Sequence, residues 1–127
     1  MKNLEQIRAT NAMAYAQADV AKGGQNSGEV VKKLPALIMS NGLLAAGAFA
    51  YAKGTGWSAC FDHMAQHLAD PEIAVVEAKA NKLDELLKFL SNSADSSTLK
   101  LATEEALAWL AYAKRFVKKG RDEEAEE

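Results

Sequence analysis

Only one cysteine, Cys60, occurs among the 127 residues. No disulfide can form within the chain and no cysteine-based zinc cluster can be built, which suits a reducing compartment. Prolines number two and β-branched residues are few, while Ala, Leu, Glu and Lys abound; that balance favours helix over sheet. Neither a Walker loop nor a GxGxxG turn is present, and the glycines at 23, 24 and 28 open no strand-to-helix phosphate cradle. A secretory leader is not predicted either, because Glu5, Arg8 and Asp19 interrupt the apolar core it would need. The cytoplasm is the expected location.

The composition that remains is that of a folding chain. Hydrophobic residues make up 49% and charged residues 25%, far from the polar, charge-rich balance of disordered segments. At this length roughly two thirds of the unfolded surface can be buried in one core. The expectation is an all-α, compact single-domain bundle of about five to six helices over residues 1–120, followed by an acidic, disordered tail at 121–127.

The longest uncharged run, nineteen residues between Lys33 and Lys53, admits three readings. As a membrane span it is marginal: its seven large apolar residues contribute only ~2–4 kcal/mol of insertion free energy, opposed by Pro35, Asn41, Gly42 and Gly47. As a hairpin around Asn41-Gly42 it lacks period-two flanks. Leu34, Leu37, Ile38 and Leu44 follow helical spacing, so one central buried helix is predicted, with Pro35 near its first turn and with Gly42, Ala46 and Gly47 letting a neighbour come close.

Helix one is predicted over Asn3–Lys22, with Leu4, Ile7, Met13 and Val20 as its apolar residues, ending at Gly23-Gly24. A short helix is predicted over Trp57–Ala69 after the break at Gly54 and Gly56. Another is expected to start at Asp70-Pro71 and carry Ile73, Val76, Leu83, Leu86, Leu87 and Leu90 on one face. The last should run from Leu99 to Lys119, with Ala106, Trp109, Leu110, Ala113 and Phe116 facing inward.

The most enzyme-like constellation is Cys60, His63, His67 and Asp70, near one face of the short helix. One straight helix offers a metal only a neighbouring pair such as His63 and His67, and a Cys60-His63 dyad lacks an orienting group and an oxyanion site. Surface or half-buried histidines are the preferred reading. Glu104-Glu105, following Thr103, are read as helix-start carboxylates that complement the dipole. No catalytic residue, metal site or cofactor is predicted.

Net charge of −2 hides an uneven distribution. Residues 1–120 carry fourteen basic and twelve acidic side chains, whereas 121–127 carry one arginine and five acids. On the last helix Lys114 with Lys118, and Arg115 with Lys119, form adjacent i, i+4 rows opposite the apolar face. Such a face can bind phosphate, or it can simply complement the helix C-terminus and keep the surface soluble. Lys32, Lys33 and Lys53 are further basic candidates, and Trp57 and Tyr51 could stack on bases, although aromatics at helical spacing usually belong to a core.

The segments KKLPALIMSNGLLAAGAF and EEALAWLAYAKRF resemble the small helical subunit of the Cmr (type III-B) CRISPR RNA-guided effector. The resemblance rests on LEQIRA, Lys33-Leu34-Pro35, Leu37-Ile38, Asn41-Gly42-Leu43, Glu105-Ala106-Leu107, Trp109-Leu110 and Lys114-Arg115-Phe116 in that order. It departs at Tyr112 and Ala113, where bulkier apolar residues are expected, and no motif is recognised over 54–98. What it implies is an all-helical, non-enzymatic subunit that stacks beside the backbone subunits and further copies of itself and helps bind guide and target RNA. On that analogy Lys33, Lys114 and Arg115 are the RNA-facing residues; Arg8, Lys32, Lys118 and Lys119 extend the patch by charge alone. Asn41 and Gly42 are assigned to helix packing. No membrane and no small-molecule substrate are implied. Two other classes compete: a helical adaptor that binds only protein through the small residues Ala45, Ala46 and Gly47, and a metal-dependent enzyme built on His63 and His67.

Overall fold

Asn3 opens the first helix by accepting from the Gln6 amide at 2.9 Å, while Gln6 Oε1 accepts the Asn3 amide at 2.8 Å, a reciprocal capping box. The structure, a computed structural model, describes residues 2–18 and 27–126, with side chains at all of these except 27, 28, 55 and 118–126. Six helices lie within the described residues: α1 Leu4–Gln17, α2 Ser27–Asn41, α3 Leu43–Lys53, α4 Thr55–Ala69, α5 Leu83–Asn92 and α6 Ser96–Glu126. Among the described residues there is no strand, and no helix is long and apolar enough to cross a membrane. The all-α bundle expected from composition is the fold observed.

α1 is shorter than its periodicity suggested. It stops at Gln17, where Ala18 turns extended and its amide bonds back to the Tyr15 carbonyl. Ile7, Ala12 and Tyr15 are its buried residues, whereas Leu4 and Met13 are exposed; Val20 lies outside the described residues.

The uncharged run is two helices, not one. Gly42 sits between them at φ +92° and ψ 163°, a region essentially reserved for glycine. A Cβ there would meet nothing within 4 Å, so Gly42 serves backbone conformation and not the close packing expected of it. Gly47 does serve packing: a Cβ on it would lie 2.6 Å from Leu87 Cδ2. Pro35 is also displaced from expectation, lying in the interior of α2. The ~3 kcal/mol that an interior proline costs is opposed by burial of Val31, Leu34 and Ile38 around it.

Gly54, at φ +74°, ends α3 and begins α4: its amide bonds to the Ala50 carbonyl and its own carbonyl accepts from Trp57. The helix that follows, and not the 34–52 run, occupies the centre. α4 packs against all five other helices, and Cys60, Phe61, Met64, Ala65, His67 and Leu68 on it are buried, as befits a helix covered nearly all round.

Residues 70–82 do not form the expected helix. The amides of Ile73 and Ala74 both bond to the Asp70 carbonyl, and Ala74 then takes φ +50°, which breaks helical continuation. Val76 and Ala80 are buried from irregular backbone. Helix resumes at Leu83, whose amide donates to Asp62 Oδ1 at 2.8 Å; a carboxylate on α4 thus caps α5. α6 starts three residues earlier than predicted, because Asp95 accepts the Thr98 amide at 2.8 Å and so fixes the start. Ala102, Ala106, Trp109, Leu110, Ala113 and Val117 face inward along it, and Phe116 is half-buried.

Candidate functional site

The basic residues proposed from sequence lie on different helices. Lys114 and Arg115 are exposed on α6, next to a stacked Tyr112–Phe116 pair with centroids 6.5 Å apart. Lys33 is exposed on α2 and lines a groove of 530 Å³ with Lys53 and Trp57; among the described residues no lining residue comes from α6. Lys32 is exposed and sits 3.6 Å from Glu29. The side chains of Lys118 and Lys119 lie outside the described residues. Among the described residues, Lys33, Lys114 and Arg115 make no ion pair.

Arg8 behaves differently from the solvent-facing cation expected. Its Nε and Nη2 donate to Glu105 Oε2 and Oε1, each at 2.7 Å, a bidentate geometry that suits guanidinium and carboxylate. Arg8 is committed to holding α1 against α6. Glu105 in turn is no helix-start carboxylate: it lies well inside α6, buried, between Ala102 and Ala106.

The same carboxylate accepts from His67 Nε2 at 2.9 Å. The other ring nitrogen, Nδ1, lies 2.9 Å from Asn11 Nδ2, which also donates to Asp70 Oδ2 at 3.0 Å. This arrangement fixes the tautomer. An amide NH₂ facing both Asp70 and the imidazole can only donate, so Nδ1 is the acceptor and Nε2 carries the hydrogen. His67 is only 2% exposed, and burial pulls it below the ordinary histidine range despite the opposing bond to Glu105. For Glu105, burial alone would raise the carboxyl; the bonds from Arg8 and His67 outweigh it, and the net direction is downward. The result is a neutral imidazole beside an ion pair, with every polar atom of the ring engaged.

His67 is therefore neither a surface nor a half-buried residue, and it has no lone pair left for a metal. Its ring stacks over Trp109 at 6.0 Å, and Tyr15 packs on the same indole at 5.4 Å. His63 is half-buried against Tyr15 at 5.1 Å, with burial lowering its pKa. Cys60 is fully buried, and burial pushes its thiol up to about 12, so it is held as thiol, not as the nucleophilic thiolate. Among the described residues, no group of three or more His, Cys, Asp or Glu could hold a metal ion.

The polar network was legible only in part. Arg8 and Asn11 are spaced i, i+3 on one helix, and Glu105 interrupts an otherwise apolar stripe of α6; a charge inside such a stripe signals a buried partner. The surface proposed for a protein-only adaptor is also altered by the fold. Ala46 and Gly47 are buried within the chain itself, Gly47 against Leu87 and Phe61, which leaves only Ala45 of the three exposed.

The family described as CRISPR-associated protein (Cas_Cmr5) matches residues 4–119. The chain belongs to this family. A crystal structure of a CRISPR-associated Cmr5 family protein from Thermus thermophilus is similar to it throughout: the TM-score is 0.75 and the identity 27%, over 93% of this chain and 97% of that one. No curated protein matches the chain in sequence. The resemblance to the small Cmr (type III-B) CRISPR subunit, drawn from two short segments, is borne out over nearly the whole Cmr5-like chain. Of the Cmr5-like motif residues, Leu34, Ile38, Leu43, Glu105, Trp109 and Leu110 are buried and act in the fold, whereas Lys33, Lys114 and Arg115 remain at the surface.

Proposed function

We propose that this Cmr5 family chain is a non-catalytic structural subunit of a type III-B (Cmr) CRISPR ribonucleoprotein effector in the cytoplasm. It stacks beside the backbone subunits and further copies of itself, and it helps hold guide and target RNA through basic side chains. The observation that carries this reading is the contrast between Arg8, tied to the buried Glu105, and Lys33, Lys114 and Arg115, which are exposed and, among the described residues, in no ion pair. Cations that pair with none of the described acidic side chains are available to phosphates, and binding of this kind is weakly sequence dependent and falls steeply with salt. The occupied nitrogens of His67 and the buried thiol of Cys60 support a role without chemistry of its own.

The test uses the effector reconstituted with the full-length chain. Reversing charge at Lys114, Arg115 and Lys118 together should weaken target RNA capture and flatten its salt dependence by roughly 0.7–0.9 log units per lost phosphate contact, with the helical content of the purified chain unchanged. Capture that stays the same across a salt titration overturns the RNA-binding reading. Cleavage of RNA by the purified chain alone overturns the non-catalytic one.

A further inference from the structure

Among the described residues none of the α6 cations lines the groove containing Lys33, and its walls have their own chemistry. Its walls come from three consecutive helices: Lys33, Ala36, Leu37, Ser40 and Asn41 on α2, Phe49 and Lys53 on α3, and Trp57 on α4. Phe49 and Trp57 meet edge to face, centroids 4.9 Å apart at 74°. Phe49 is 42% exposed, and Lys53 Nζ stands 6.0 Å from its ring centroid. Among the described residues no carboxylate lines the groove, and four of the eight lining side chains are polar, although most of the exposed lining surface is apolar.

This combination selects among ligands. An apolar peptide helix would need a continuous hydrophobic floor, which Ser40, Asn41 and the two lysines interrupt. A duplex keeps both faces of each base stacked, so it offers its backbone, 2′-hydroxyls and minor-groove base edges but no π-face for the aromatic wall. A single-stranded nucleotide uses every part: a π-face for the aromatic wall, a phosphate for the ammonium groups, and base-edge atoms for an amide and a hydroxyl. The volume of 530 Å³ falls in the range of ~300–1,000 Å³ typical of clefts for small ligands.

We propose that this groove is a subsite for one unstacked nucleotide of single-stranded RNA, its base against the Phe49–Trp57 wall and its neighbouring phosphates on Lys33 and Lys53. The inference rests on the reading that RNA crosses this chain, and it adds where a base is held and which strand state is recognised.

Tryptophan fluorescence of the full-length chain provides the first measurement. Trp109 is fully buried and Trp57 is not, so quenching by an added ligand reports the groove. Oligouridylate is expected to quench the emission while an RNA duplex of equal length does so far less, and Trp57→Phe should abolish the change. In the assembled effector, Trp57→Ala or Lys53→Glu should weaken capture of a single-stranded target about tenfold, as loss of one stacked base does. A target RNA carrying 4-thiouridine should cross-link to peptides containing Phe49 or Trp57.

Equal quenching by duplex, quenching that survives Trp57→Phe, or no quenching at all overturns the assignment. So does loss of a protein subunit from the Lys53→Glu particle with RNA capture per particle unchanged, which would make the groove a protein contact. If the α6 charge reversal weakens capture and the groove variants do not, only the nucleotide subsite fails. If neither set changes capture, the RNA-binding reading fails with it.

Discussion

Arg8 and Glu105, 97 residues apart in sequence, are joined by two parallel hydrogen bonds of 2.7 Å. The pair closes the first helix onto the last, and Glu105 is buried while the Arg8 side chain keeps 25% exposure. Removing one partner strands the other. Glu105→Ala is expected to cost about 2–3 kcal/mol, below the ~3–5 kcal/mol of a fully buried pair because Arg8 still reaches water. Arg8→Ala together with Glu105→Ala should cost less than the sum of the single changes. Urea denaturation of the four chains gives the coupling; strict additivity would show that the pair contributes nothing of its own.

His67 makes stability sensitive to acid. Its folded pKa is lowered by burial, so below the ordinary histidine value of about 6.5 the unfolded chain takes up a proton that the native chain refuses. Stability is therefore full above that value and falls as pH drops through it towards the lowered folded pKa, by up to ~1.4 kcal/mol per pH unit while one proton is in play. Protonation would also place an Nδ1 hydrogen against the Asn11 NH₂, which already donates to Asp70. The lowered carboxyl of Glu105 acts in the same sense at more acid pH. His67→Gln should flatten the profile between pH 7 and 5 in thermal melts, and an unchanged slope would count against the assignment.

The two glycines of the uncharged run should respond in opposite order to their packing. Gly47→Ala brings a methyl to 2.6 Å from Leu87 Cδ2, the free end of a flexible side chain. A rotamer shift of ~0.5–1.5 kcal/mol is roughly offset by the ~1 kcal/mol that alanine gains over glycine in a helix. Gly42→Ala meets no atom but forces a side chain onto φ +92°, at a cost of ~1–3 kcal/mol. Melting temperatures should rank Gly42→Ala as the more damaging.

Cys60 should resist thiol reagents. It is fully buried, and its thiol is raised to about 12, so at pH 8 the native chain is expected to react with a disulfide probe orders of magnitude more slowly than the chain in denaturant. Comparable rates in both would contradict the burial.

The helical character was legible because apolar residues recur at helical spacing through Leu86, Leu87 and Leu90 and through Ala106, Trp109 and Ala113. Boundaries depended on single hydrogen bonds that no periodicity encodes: Asp95 on the Thr98 amide, or Asp62 reaching Leu83 from another helix. The stretch after Asp70 has a helical apolar pattern, yet Ala74 at positive φ ends it. Among the site residues, exposure of Lys33, Lys114 and Arg115 agreed with their polarity, whereas Arg8 carries the same charge and lies against Glu105, because its buried partner is supplied only by the fold.

Gly42 and Gly54 join three successive helices with one residue each, leaving the backbone no slack at either corner. An α-helix advances about 100° per residue, so one extra residue inserted beside either glycine would swing the downstream side chains by more than a quarter turn. Lys33, Lys53 and Trp57 would then point in unrelated directions although none of them had been altered. The spacing of those two corners acts as a reading frame for the surface, and a change of length should disturb that surface less in the irregular stretch between α4 and α5 than at either glycine.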